Sequence, residues 1–324
     1  MIRSCMFGHG MENKVDHIYG VTFAPFAPGK CLISKEAKES LKVMKERTNA
    51  NFVMFVPNAL QDTPQSETIT TGEESATREE LTDIVLYAKE ELGLRVALKP
   101  TVNCKNGAWR AFINFFDEDV VCEPKWGNWF KSYTEFQLKF AEIAEDLGCE
   151  MFIPGCEMVM SEHREEEWRK LISDLRGVYK GLISYNTDKY QEHNVKWWDA
   201  VDVISSSGYY PLGSWEEQLD RIEKVVKKFN KPFFFAESGC MSTKGSPMVP
   251  NNWCLEGGSD PEGQKEWYGE MLAACEKRDW IKGICLWDWP LKLYKSKDID
   301  KYIKYEFYEK PAEAVIRDYF GKKR

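Results

Sequence analysis

Short apolar runs alternate with amphipathic stretches along the whole chain. Eight runs read as β-strands: Tyr19–Phe23, Phe52–Val56, Arg95–Lys99, Met151–Ile153, Leu182–Tyr185, Val203–Ser206, Phe233–Ala236 and Gly283–Trp287. Between them, apolar positions recur at helical spacing over Ser34–Arg47, Thr77–Glu91, Tyr133–Asp146, Glu165–Tyr179, Trp215–Phe229 and Pro261–Lys277, and Pro311–Tyr319 closes the chain. Asn194–Ala200 supplies a short helical turn after the fifth strand, and Ser34 and Thr77 stand where N-caps belong. The strands are too uniformly apolar for a sheet with one wet face, as expected when helices cover the outside and side chains fill the inside. The pattern predicts an α/β fold, a single (β/α)8 TIM barrel forming one domain over residues 1–324. A doubly wound sheet is the alternative, but no GxGxxG or GxxxxGK[ST] follows the first strand.

Composition narrows the functions open to such a barrel. Its 324 residues carry a net charge of -8, with Lys and Arg scattered among Glu and Asp on the helical stretches. No basic stripe is present to neutralise phosphates, which argues against a nucleic-acid partner. Ten cysteines are present; Cys156, Cys240 and Cys285 lie in or beside apolar runs and Cys275 in a helical pattern. No CxxC pair occurs, and His9, His17, His163 and His193 do not cluster with Cys at zinc spacing, so no metal or other cofactor is expected. The N-terminal stretch MIRSCMFGHGMENKVD lacks the apolar core of a signal peptide, and no run is long enough to span a membrane. With free thiols, these features predict a cytoplasmic protein without a membrane partner.

Candidate chemistry stands at the strand ends, where barrels of this kind carry their catalytic residues. The fourth strand runs through Pro154-Gly155-Cys156 into Glu157, and the seventh runs Phe233-Phe234-Phe235-Ala236 into Glu237. An ionised side chain after so apolar a segment is costly unless it faces a polar cavity. Two such glutamates suit glycoside hydrolysis, which needs one carboxylic acid to protonate the leaving oxygen and one carboxylate across the sugar ring. Of the twelve Trp, about half are expected to pack in the core and between helices, and the rest offer flat apolar surfaces for the C–H faces of sugars. Trp287 and Trp289 flank Asp288 at the end of the eighth strand, Tyr209 and Tyr210 follow the sixth, Trp109, Trp126 and Trp129 follow the third, and Trp253 follows the seventh.

The order of these segments resembles clan A glycoside hydrolases and, more narrowly, glycoside hydrolase family 113, whose characterised members are β-1,4-mannanases. The matching stretches are YGVTFAPF, NFVMFVPNALQDTPQS, VALKPTVNCKNGAWR, FIPGCEMVMSEHREEEWRKLI, SYNTDKY, VISSSGYYP, PFFFAESG, EGQKEWYGEML and GICLWDWP, in order from Tyr19 to Pro290. The resemblance implies that Glu157 is the acid/base, that Glu237 is the nucleophile and that configuration is retained. It further implies that Trp287 floors the subsite at the cleaved bond, that Tyr209 or Tyr210 hydrogen-bonds the nucleophile, and that Lys99, Trp109 and Arg110 contribute sugar contacts. The chain departs from the clan at Cys156, where an Asn usually binds the sugar 2-hydroxyl, and at Asp288, where a neutral amide is expected. The segment Asn186-Thr187-Asp188 lacks an expected Trp. Cys156, Asn186, Asp288 and Trp289 complete the expected substrate-binding set.

The reading that follows is a retaining hydrolase of β-1,4-linked manno-oligosaccharides or mannan fragments, acting by double displacement with an oligosaccharide as its partner. Cys156 is a poor donor and acceptor beside an amide, so a β-glucoside or β-xyloside as substrate, or a carbohydrate-binding barrel without catalysis, stand as alternatives.

Overall fold

The computed structural model describes residues 15–322. Residues 1–14, with His9 and nearly all of the stretch read for a leader, lie outside the described residues. The chain runs β1 (Ile18–Phe23), α1 (Lys35–Thr48), β2 (Phe52–Phe55), β3 (Asn58–Gln61), α2 (Arg78–Leu86), β4 (Arg95–Leu98), β5 (Thr101–Cys104), α3 (Trp126–Asp146), β6 (Met151–Phe152) and α4 (Glu165–Val178). It continues through β7 (Leu182–Thr187), β8 (Val203–Gly208), α5 (Trp215–Phe229), β9 (Phe233–Ser238), α6 (Pro261–Glu276), β10 (Ile281–Trp289) and α7 (Pro311–Phe320). Eight strands close a parallel barrel in the order β1-β10-β9-β8-β7-β6-β4-β2. This is the (β/α)8 barrel that the alternating pattern predicts.

Strand periodicity explains how the barrel fills. Phe52, Met54 and Val56 at β2, Met151 and Ile153 at β6, and Val203, Phe234, Ala236 and Cys285 form a buried inner cluster. Their neighbours Val53, Phe55, Val96, Leu98, Phe152, Ile204, Phe233, Phe235 and Leu286 face outward and join the larger core under the helices. The helices are started by their own side chains. Ser34 Oγ accepts from Ala37 N at 3.1 Å, and Thr77 and Glu80 form a reciprocal capping box.

Between β7 and β8 stands a 3₁₀ turn, Trp198–Ala200, within the stretch read as a short helical turn. Two features depart from the sequence expectation. β3 and β5 pair beyond the barrel strands as a separate two-stranded sheet, with Leu60 opposite Asn103. Helix α3 starts seven residues before Tyr133, at Trp126, where Lys125 makes no capping hydrogen bond and so leaves the start unmarked in the sequence. Trp126 and Trp129 therefore belong to the core; Trp129 stacks on Tyr133 with centroids 4.6 Å apart. Among the described residues, no helix is long and apolar enough to cross a membrane.

Candidate active site

The inner face of the barrel turns polar toward the C-terminal strand ends. Lys99 stands two residues beyond the inward-facing Ala97, and Ser205 and Ser207 extend the face that Val203 begins. All three side chains are buried. Above them opens a cavity of about 390 Å³ whose walls include Phe26, Trp109, Arg110, Glu157, Asp188, Lys189, Tyr209, Glu237, Trp253, Trp287 and Tyr305.

Glu237 reaches this cavity through a break in strand parity. Phe234 and Ala236 face inward, so regular alternation turns residue 237 toward the helices. The pairing of β8 with β9 slips between Ser206 and Ser207, so that Ser207 stands opposite Glu237. A bulge of this kind re-aims a side chain. Glu157 is placed by another device. It follows β6 with a left-handed backbone, φ 55°, and its N–H donates to the Asn186 carbonyl at 2.7 Å. That conformation is uncommon for a non-glycine residue.

Each carboxylate has its own partners. Lys99 Nζ donates to Glu237 Oε2 at 2.7 Å, and Tyr209 Oη donates to Oε1 at 2.6 Å. Burial pushes Glu237 up, but the Lys99 and Arg110 charges and the hydrogen bonds from Lys99 and Tyr209 outweigh it, holding the carboxyl below its ordinary range. Ser207 Oγ donates to Glu157 Oε1 at 2.7 Å and Trp109 Nε1 donates to Oε2 at 3.2 Å, with Arg110 Nη2 3.6 Å from Oε2. Arg110 is fixed by the Cys156 carbonyl at 2.9 Å and by Asn103 Oδ1 at 3.0 Å. Asn103 belongs to β5 and also donates to Asn58 on β3 at 2.8 Å, so the additional small sheet braces the arginine.

The sequence-derived residues divide into cavity and support. Glu157, Glu237, Trp287, Tyr209, Trp109 and Arg110 line the cavity. Lys99 is fully buried beneath it, ion-paired to Glu237, rather than offered to a sugar. Asn186 is also buried; its Oδ1 accepts from Lys99 at 3.1 Å and its amide donates to Ser207 Oγ at 3.0 Å. Cys156 lies beside them, its sulfur 3.6 Å from Glu237 Oε2 and 3.7 Å from Asn186 Oδ1. Burial pushes its thiol up to about 12, so the group is a neutral donor.

Tyr210 points away from Glu237 and donates instead to Glu192 at 2.8 Å, which also pairs with Arg221. Trp289 leaves the cavity as well. A register shift where β10 meets β1 sets Phe23 opposite Trp289, and the indole donates to the Ser40 carbonyl at 3.1 Å under α1. Asp288, joined to Trp287 by a cis peptide, is half-buried and does not line the cavity. Burial and the neighbouring Glu306 raise its carboxyl well above the usual range, and Oδ1 has no hydrogen-bond partner.

Sequence reasoning passed over Ser207, Phe26, Asn103 and Tyr305. For Ser207 a signal existed: three consecutive serines end an otherwise apolar strand, and a polar inward position at a barrel mouth needs a partner.

The model of Glycoside Hydrolase Family 113 matches residues 21–310. The chain belongs to glycoside hydrolase family 113. It is similar to two solved structures of family 113 β-1,4-mannanases, one of them a complex, at 49% and 50% identity; each comparison covers 95% of this chain and 100% of the other with a TM-score of 0.93. The family 113 β-mannanase of Alicyclobacillus acidocaldarius, solved in complex with ManMIm, is 36% identical over 96% of this chain and 99% of its own, with a TM-score of 0.91. No curated protein matches the chain by sequence. As a family 113 member, the chain is a glycoside hydrolase.

Proposed function

We propose that this family 113 hydrolase cleaves β-1,4-linked manno-oligosaccharides with retention of configuration, using Glu237 as nucleophile and Glu157 as acid/base. The observation that carries the roles is the asymmetry between the two carboxylates. Glu237 is kept ionised by a buried ammonium and oriented by a tyrosine hydroxyl, which suits attack on the anomeric carbon. Glu157 faces the same cavity, held by Trp109 and Ser207 on its oxygens, and takes the remaining role of protonating the glycosidic oxygen as that bond breaks. Glu237 forms a glycosyl ester while Glu157 gives up its proton. Water then attacks the ester, returning a proton to Glu157 and freeing Glu237.

Trp287 supplies the flat wall beside Glu237, with Phe26 tilted against it at 5.6 Å. The mannan-type substrate is supported by the likeness to the family 113 β-1,4-mannanases. A cytoplasmic setting is supported by the free thiols of the nine described cysteines.

The test is product analysis on end-labelled manno-oligosaccharides, with Glu237→Ala as the control. Mannose-containing products with the wild type and none with the variant are expected. Turnover by the variant at the wild-type rate would remove Glu237 from its role. Cleavage of gluco- or xylo-oligosaccharides with no product from mannotetraose would overturn the sugar assignment.

A further inference from the structure

We propose that Asn186 and Ser207 are positioning residues for the acid/base step. With Lys99 they form a one-way chain of hydrogen bonds that compels Ser207 to donate to Glu157 Oε1 and leaves Oε2 to carry the transferred proton. The inference deepens the proposed function and rests on the acid/base role of Glu157.

The direction of the chain follows from what each group can do. Lys99 is an ammonium, with donors and no acceptor. One of its hydrogens goes to Glu237 Oε2 at 2.7 Å and another to Asn186 Oδ1 at 3.1 Å. The amide can turn only its oxygen toward Lys99. Its nitrogen then faces the Thr187 carbonyl and Ser207 Oγ, each at 3.0 Å. A carbonyl only accepts, so Thr187 fixes the same amide orientation independently. Ser207 Oγ therefore receives a hydrogen from Asn186 and has a single hydrogen of its own to give. Glu157 Oε1, 2.7 Å away, takes it. Lys99, Asn186 and Ser207 are all fully buried. In such a setting each hydrogen bond is stronger than in water and polarises the next.

The chain makes the two oxygens of Glu157 unequal. Oε1 is held by the short bond from Ser207, whereas Oε2 meets longer contacts, Trp109 Nε1 at 3.2 Å and Arg110 Nη2 at 3.6 Å. In a protonated carboxyl the carbonyl oxygen is the better acceptor, so the short bond marks Oε1 as the carbonyl and places the proton on Oε2. Oε2 also lies on the side of Trp109, which lines the cavity. The proton leaves Oε2 for the glycosidic oxygen as the C1–O bond breaks, and the bonding pair stays with that oxygen. The attacking water later returns a proton to Oε2. Through both transfers Ser207 holds Oε1 in place and steadies the carboxylate while it is ionised.

The readout is the pH profile of kcat/KM on mannotetraose. A donor on a carboxylate oxygen favours its ionised form, so Ser207→Ala makes Glu157 hold its proton more firmly. The basic limb is expected to move upward, with kcat down about tenfold and KM nearly unchanged, because Ser207 is buried and does not line the cavity. Ser207→Thr keeps the hydroxyl and should restore the limb. Arg110, Cys156, Asp188, Tyr209, Tyr305 and Glu237 also surround Glu157. All six stay in place in these variants, so the movement reports the serine hydroxyl. Asn186→Ala should move the basic limb less, and not at all once Ser207→Ala is present, because it acts through that hydroxyl. An unmoved basic limb in folded Ser207→Ala, no restoration by folded Ser207→Thr, or additive shifts in the double variant would overturn the chain. If Ser207→Ala folds poorly, Asn186→Ala alone decides, and an unmoved basic limb there rejects the inference. The acid/base role has its own readout: Glu157→Ala should lose far more kcat/KM on mannotetraose than on an aryl β-mannoside with a good phenolate leaving group. Equal losses would reject that role, and the chain's function with it.

Discussion

Ser207 and Tyr209, two residues apart at the mouth of β8, each hold one of the two candidate carboxylates. The serine donates to Glu157 at 2.7 Å and the tyrosine to Glu237 at 2.6 Å. One stretch of backbone therefore sets the spacing between the two carboxylates, and a shift at this strand end moves both groups together. Preorganisation of this kind is what positions reacting groups before the substrate arrives.

Tyr209→Phe removes one donor from Glu237 and leaves the ring in place. A hydrogen bond to a charged group contributes about 1.5–3 kcal/mol, so kcat/KM should fall by about 10- to 100-fold with little change in thermal stability. Tyr210→Phe should do the reverse, because its hydroxyl serves Glu192 and Arg221 outside the cavity. A melting temperature and a kcat/KM for each variant separate the two tyrosines; equal kinetic damage would contradict the assignment.

Lys99→Met removes the cation that most strongly opposes the effect of burial on Glu237. The carboxylate then rises from its depressed position, so a higher pH is needed to ionise it. The acid limb of the kcat/KM profile is expected to move upward. A profile that keeps its acid limb while losing amplitude would show that Lys99 acts through packing alone.

Cys156 sits beside Glu237 but is almost fully buried, and burial keeps its thiol protonated. Reactivity follows the thiolate and its access. Iodoacetamide at neutral pH should therefore label the exposed Cys122 and Cys254 and spare Cys156. Peptide mass spectrometry checks this directly, and labelling of Cys156 in the folded enzyme would count against the closed setting described for it.

Glu162 is buried behind the cavity, where Tyr185 and Thr187 donate to Oε1 and Oε2 has no partner. Burial pushes its carboxyl up to about 8 from an ordinary 4.5, with hydrogen bonds from Thr187 and Tyr185 opposing and Asp188 and Glu192 adding to the rise. Between these values the unfolded chain has released a proton that the folded chain retains. The contribution of Glu162 to stability is thus complete below the ordinary value and is lost as pH climbs toward the folded one. Glu162→Gln should flatten the fall in melting temperature between about pH 5 and about pH 8. An unchanged slope would mean that this carboxyl is ionised in the native protein.

The barrel was legible because strand and helix periods alternate cleanly, and Lys99 could be placed by counting two residues on from Ala97. The same counting misplaces Glu237 and Trp289. Each lies beyond a register shift, and a single slipped residue reverses the face of every side chain after it. Helix α3 lost its first turns in the sequence reading because no capping residue precedes Trp126, so two core tryptophans stood out as surface candidates. Residues that support the carboxylates from other strands, such as Asn103 and Ser207, become visible only when the barrel closes and brings them across it.

The ammonium locked beneath Glu237 also bears on inhibitor chemistry. Cationic sugar mimics draw potency from placing a positive charge against a bare carboxylate. In this enzyme Lys99 is already bonded to that carboxylate and Arg110 adds a second cation to its surroundings. A protonated ring nitrogen meets repulsion as well as attraction, so its electrostatic advantage shrinks. Neutral, flattened ring mimics that fit against Trp287 are the better scaffold for a tight binder.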